Sequence, residues 1–238
     1  MSPQFVPFGT PHLVAIACTL LVPLALALVA RQEHLGPPAD RMTRIGLALL
    51  LLGGWIFWYG LGALRGDLAL DRSLPMHLCD WAQIALMVAL VTRHQLAYEL
   101  GYFWGLGGTL QGLITPTVYY DFPDAAYFAF FIQHGGVIAS LLYLTLGTRL
   151  RPALRSLPRV ALGSLVYLAA AGLIDWLLAV NYGFLRAKPL GQNLLSVLAP
   201  WPWYIPQLVG IGMLSLGLYY LPFGIADLVR AKKSPERT

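Results

Sequence analysis

Charge is what this sequence has least of. Asp, Glu, Lys and Arg make up 11% of its residues, where a soluble domain carries about 25%. That scarcity excludes an ordinary water-soluble globule. Cysteine is nearly missing too: Cys18 and Cys79 are the two present, too few for a disulfide framework. Positions 1–10 hold no Lys or Arg, so the basic region of a cleavable signal peptide is lacking and the first apolar run reads as a span. The net charge of +5 follows from membrane topology and calls for no nucleic-acid partner. What is abundant is hydrophobic residues, at 58%. They lie in uncharged runs approaching the ~20 residues that cross a bilayer.

These runs predict an all-α, polytopic membrane protein forming one domain over 1–238, with seven transmembrane helices near 12–30, 45–64, 75–92, 97–115, 125–148, 160–181 and 204–229. Pro37-Pro38, Arg93-His94, Pro116 and the Asp121-to-Asp124 segment mark turns between them. Of the 16 Lys and Arg, 12 fall in the first, third and fifth loops and the tail. The positive-inside rule then puts the N-terminus outside and the C-terminus in the cytoplasm of a plasma-membrane protein.

With that orientation the polar residues within the spans gather toward the outer face. His12 opens the first span, Cys79 and Asp80 lie about one turn into the third, and Gln111 lies near the outer end of the fourth. His134 is about 10 Å into the fifth at ~1.5 Å per residue. Asp175 and Asn181 close the sixth, and Tyr204 and Gln207 open the seventh. Ionisable groups inside a membrane face the bundle interior and mark a site by default.

The stretch from Ser73 to Trp81 carries the reactive groups His77, Cys79 and Asp80. Ser73 reads as the N-cap of the third span with Pro75 in its first turn, which places Cys79 near the limit of the helix dipole's reach. A thiol needs a base to act as a nucleophile at neutral pH, and His134, at similar depth on another helix, is the candidate. The same pair also reads as a packed thiol and a core histidine bonded to a neighbour. His77 and Asp80, three apart, share a helix face and are positioned to bond each other or to orient His134. His77 and Cys79 point about 200° apart on a regular helix, so no metal site is expected. No cofactor is expected either.

Gln111, Asn181 and Tyr182 read either as binding groups for a carbonyl or headgroup, or as interhelical hydrogen bonds. Asp175 has Lys188 and His12 as conceivable partners. Trp201, Trp203 and Tyr204 read as an interfacial aromatic belt, or as a rigid lip over a pocket. Gly101, Gly105, Gly108 and Gly112 form a stripe that close helix packing explains. Cys18, in an apolar run, reads as structural.

Together, Pro75-Met76-His77-Leu78-Cys79-Asp80, Tyr102-Phe103-Trp104-Gly105-Leu106-Gly107-Gly108-Thr109-Leu110-Gln111, Ile132-Gln133-His134-Gly135, Asn181-Tyr182, Lys188-Pro189 and Pro200-Trp201-Pro202-Trp203-Tyr204 resemble the YwaF family of bacterial integral membrane proteins. That family is similar, more distantly, to a eukaryotic multi-pass protein proposed to be a cysteine-dependent phospholipid acyltransferase. The resemblance implies that the nucleophile and base roles fall on Cys79 and His134. Two expectations follow. One is acyl transfer on membrane lipid, with Gln111, Asn181 or a backbone amide steadying the oxyanion. The other is a non-catalytic protein that binds or moves a small polar solute or ion.

Overall fold

Small residues decide which helix sits in the middle. The computed structural model describes residues 3–32, 36–116, 118–189 and 194–232; the end of the basic tail and part of the first loop lie outside them. Helix α7, Ala125–Leu146, starts where the Asp124 side chain accepts the Ala126 N–H at 2.7 Å. Ala129, Gly135, Gly136, Ala139 and Ser140 keep it thin. A Cβ on Gly135 would stand 2.6 Å from Thr19 Oγ1, and one on Gly136 would stand 3.0 Å from Leu51 Cδ2. Those side chains belong to α1, Thr10–Ala30, and α2, Gly36–Arg65, which close on α7 because its surface has no bulk there. Most of α7 is buried, whereas α9, Tyr204–Lys232, is outermost.

The remaining elements are a helical turn, α3, Leu70–Ser73; α4, Leu78–Thr92; α5, Gln95–Trp104; a π-helical turn, Gly105–Thr109, that runs directly into α6, Leu110–Ile114; and α8, Ser156–Leu178. Among the described residues there is no strand, only one isolated bridge between Gln4 and Tyr120. Five helices, α1, α2, α7, α8 and α9, are long and apolar enough to cross a membrane; α4 is a shorter apolar helix. The all-α membrane architecture is therefore present, with boundaries that differ from the expected ones in places. Pro37 and Pro38 do not break the chain ahead of α2. They sit in its first turn, where a missing N–H removes no helical bond. The run expected at 97–115 is divided by the π turn. α8 stops at Leu178, and Ala179 takes a left-handed conformation (φ 54°), which leaves Asn181 beyond the helix.

Hydrogen bonds at the two ends fix an up-and-down order of the rods. At one end Tyr127 on α7 donates to the Pro11 carbonyl at 2.7 Å, and His12 on α1 donates from Nε2 to the Leu113 carbonyl of α6 at 2.9 Å. At the other, Tyr143 of α7 donates to Asp40 of α2 at 3.1 Å, Arg44 of α2 to the Leu90 carbonyl of α4 at 2.5 Å, and Arg159 of α8 to Glu99 of α5 at 2.7 Å. The second group corrects an expectation. Costly polar groups do not gather at one end alone, since Glu99 is wholly buried and lies at the opposite end from Cys79. Its partner Arg159 supplies the counter-charge that burial demands.

Candidate functional site

α4 begins at Leu78, with His77 as its N-cap in extended conformation. The expected start at Ser73 is overturned for a backbone reason. Leu74 precedes Pro75, which bars it from the helical region, and it is extended (ψ 143°). Ser73 instead ends α3, its hydroxyl donating to the Ala69 carbonyl at 2.6 Å. Two consequences follow. Cys79 becomes the second residue of α4, well inside the first turn where unpaired N–H groups give the helix its positive end. His77 lies outside the helix, so it and Asp80 do not share a helix face. The Asp80 carboxylate reaches back to the His77 N–H at 3.0 Å.

Asp80 is occupied three ways. Besides the His77 N–H, it accepts from Trp55 Nε1 on α2 at 3.3 Å and from Gln133 Nε2 on α7 at 3.4 Å. It therefore ties α4 to α2 and α7 and does not orient His134. The imidazole of His134 is held by its own helix. Nδ1 lies 3.1 Å from the Phe130 carbonyl, and the ring stacks on that of Phe130 with centroids 4.0 Å apart. A carbonyl only accepts, so Nδ1 carries the proton, and in the neutral ring Nε2 keeps its lone pair. Among the described residues nothing donates to that lone pair.

The glycine stripe brings these groups together. A Cβ on Gly101 or Gly108 would meet Leu86 or Leu78 of α4, and one on Gly105 or Gly112 would meet Leu141 or His134 of α7. The stripe therefore lies in the crevice between α4 and α7, with His134 Cδ2 and Nε2 at 3.1 and 3.4 Å from the Gly112 Cβ position. Three residues earlier, the Thr109 hydroxyl lies beside the Cys79 thiol. That hydroxyl is fully buried and no hydrogen bond of ordinary geometry ends on it. Cys79 and His134, both half-buried, thus rest on one turn of a single rod. No hydrogen bond joins them to each other. His77 lies within electrostatic reach of His134, and its ring meets Tyr182 edge-on at 5.0 Å and Phe184 at 5.9 Å. Tyr167 of α8 closes the far side, donating to the Met76 carbonyl at 3.2 Å and packing on Trp81 at 5.3 Å.

The other expected site residues go elsewhere. Gln111 is exposed on α6. The Asn181 amide is consumed by its own loop: it accepts from the Arg186 and Ala187 N–H groups at 2.9 and 3.1 Å and donates to the Ala187 carbonyl at 2.9 Å. Tyr182 is buried; its N–H donates to Asp175 at 2.7 Å, its hydroxyl donates to the Leu70 carbonyl, and the hydroxyl accepts the Leu74 N–H at 3.0 Å. Asp175 is thus bonded to neither Lys188 nor His12. Lys188 donates to the Leu198 carbonyl at 2.7 Å and covers the Tyr204 ring. Trp201 and Trp203 are exposed and Tyr204 is buried, its hydroxyl donating to the Phe184 carbonyl. Cys18 and Cys79 are both free thiols, and Cys18 is exposed. Among the described residues no three His, Cys, Asp or Glu converge as a metal site would require.

Sequence reasoning missed Thr109, Gln133, Trp55 and Tyr167. The first two sit inside the quoted motifs, Thr109 two residues before Gln111 and Gln133 directly before His134. A buried hydroxyl in a glycine-rich helix was the available signal.

A sequence model of the TMEM164 family matches residues 7–220. An uncharacterized protein of Treponema pallidum (strain Nichols) is 28% identical over 228 residues, covering 92% of this chain and 90% of that protein. No solved structure matches.

Proposed function

The chain belongs to the TMEM164 family, and from that premise we propose that it is a seven-span membrane protein with a cysteine-dependent acyl-transfer site acting on membrane lipid. The observation that carries the reading is the shared seat of Cys79 and His134 on the Thr109-to-Gly112 turn. The up-and-down order of the rods, with α4 and the α5–α6 rod counted as crossings, supports seven spans. The bias of Lys and Arg supports an outside N-terminus and a site toward the outer face of the plasma membrane. The more distant likeness to a eukaryotic multi-pass protein proposed to be a cysteine-dependent acyltransferase implies the reactive roles for the same two residues.

In the proposed reaction the thiol proton passes to His134 Nε2, and the Cys79 sulfur attacks the carbonyl carbon of a lipid ester. The carbon–oxygen ester bond breaks, and the leaving alkoxide takes the proton back from the imidazolium. The acyl group is then a thioester on Cys79. An acceptor hydroxyl gives its proton to Nε2 and attacks the thioester carbonyl, and the sulfur leaves and is reprotonated. If water is the acceptor, the outcome is hydrolysis. The N–H groups of the first turn of α4 and the Thr109 hydroxyl are the donors suited to the oxyanion. The aromatic residues Trp201, Trp203 and Tyr204 form the interfacial lip.

The test is labelled phospholipid with the purified protein and its Cys79→Ser and His134→Ala variants. Loss of acyl transfer and hydrolysis in both is expected; unchanged turnover in both would remove the mechanism. A second reading, solute or ion binding without catalysis, draws on the buried Asp175 Oδ2, which has no partner among the described residues. Vesicle uptake that needs Asp175 but not Cys79 would favour it.

A further inference from the structure

A cavity of about 520 Å³ opens at the end of the bundle opposite Cys79, and its wall is built of arginine. Arg31 follows α1, Arg149 and Arg151 lie in the turn after α7, and Arg230 lies near the end of α9. All four line the same space. The turn explains how two of them reach it. Gly147 and Thr148 donate to the Tyr143 carbonyl, Leu150 donates to the Leu144 carbonyl, and Arg149 takes a left-handed φ of 60°. Only Arg151 has a carboxylate partner among the described residues, Asp227 at 2.5 Å. Its guanidinium also lies over the Phe223 ring, 5.7 Å from the centroid. Three cations, Arg31, Arg149 and Arg230, therefore line one cavity with no carboxylate paired to them among the described residues.

We infer that this cavity is an anion site for a phosphate-bearing ligand. Guanidinium groups present paired donors that match phosphate oxygens. The volume lies within the range of ligand sites. Phe223 and Pro222 give the same wall an apolar side, which suits the start of a lipid's acyl chains. Basic pockets between membrane helices commonly hold anionic headgroups. The inference uses none of the residues of the Cys79 site and stands independently of the acyl-transfer reading. A competing use of these cations is to neutralise the C-terminal ends of α1, α7 and α9. That use needs no cavity, and it gives no preference among headgroups.

The experiment is native mass spectrometry of the full chain in detergent, with dioleoyl phosphatidylglycerol, dioleoyl phosphatidylcholine or pyrophosphate added. Wild type is expected to hold phosphatidylglycerol at least about tenfold more tightly than phosphatidylcholine, with about fivefold of affinity lost for each arginine removed. The combined Arg31→Gln, Arg149→Gln and Arg230→Gln variant should show almost no headgroup preference. Pyrophosphate that binds alone with the same arginine dependence identifies a free phosphate compound as the source; binding of phosphatidylglycerol only identifies lipid. If the triple variant does not fold, Arg149→Gln, on an exposed side chain, carries the test. Equal binding of the two lipids by wild type together with no pyrophosphate binding, or a preference that survives the substitutions, overturns the inference.

Discussion

Replacing Gly101 by Ala, and separately Gly107 by Ala, tests whether the α5–α6 rod is wedged as tightly as the distances say. A Cβ at Gly101 would stand 2.5 Å from Leu86 Cγ, 2.7 Å from Cδ2 and 3.3 Å from the Leu86 N. The atoms it meets are a branch point, one of its methyls and the backbone, and Leu86 is fully buried. Either α4 or α5 must shift. Overpacking of this kind costs about 1–3 kcal/mol, against a helix-propensity gain of about 0.5–1 kcal/mol for Gly to Ala. The net expectation is a loss of about 1–2 kcal/mol. At Gly107 nothing lies within 4 Å, so only the gain of about 0.5–1 kcal/mol remains. The same chemical change is made six residues away, so effects on the unfolded chain largely cancel in the comparison. The two variants should differ by about 2 kcal/mol. The assay is reversible unfolding in mixed micelles with rising dodecyl sulfate, followed by tryptophan fluorescence. A Gly101→Ala protein as stable as Gly107→Ala would refute the wedge of this rod against α4.

Three further outcomes are expected. Asp80→Ala leaves the His77, Trp55 and Gln133 donors without their acceptor and should cost about 2–4 kcal/mol in the same unfolding assay; Asp80→Asn, which keeps an acceptor oxygen, should cost less. Tyr182→Phe removes the hydroxyl bonded to Leu70 and Leu74 and should lower stability by about 1–2 kcal/mol, with faster proteolysis after α3 as an independent readout. In a Cys18→Ser background, His134→Ala should slow alkylation of Cys79 by iodoacetamide about tenfold or more, and an unchanged rate would separate the imidazole from the thiol.

The helices were legible because crossing length and apolar content are properties of single runs, and α1, α7, α8 and α9 fall near their expected positions. The start of α4 was misplaced through one residue pair. Ser73 has the right side chain for a cap, but Pro75 constrains Leu74, and that effect outweighs capping preference. Cys79 was expected about one turn into that helix and sits instead at its second residue, half-buried. The partners of the polar groups were not legible. An amide such as Gln111 or Asn181 announces hydrogen-bonding capacity, yet whether a loop carbonyl or a substrate satisfies it depends on local folding. Glu99 was overlooked for a related reason, since its counter-ion Arg159 lies 60 residues away and nothing in the run around it marks the pair.

The five-residue π turn at Gly105–Thr109 also bears on how this rod could change. A wide turn of this kind is what one surplus residue produces inside an α-helix. Deleting a single position there would let the segment rewind as ordinary helix with everything after it facing almost the same way, because the wide turn has already absorbed that residue. Gly112 would keep facing α7 while Gly101 stayed seated on α4, whereas a deletion elsewhere in the rod, where nothing absorbs it, would swing all that follows by about 100°. The π turn is therefore the one place in this rod that tolerates a change of length. It lets the half that anchors the helix and the half that faces the thiol and the imidazole keep their separate seats.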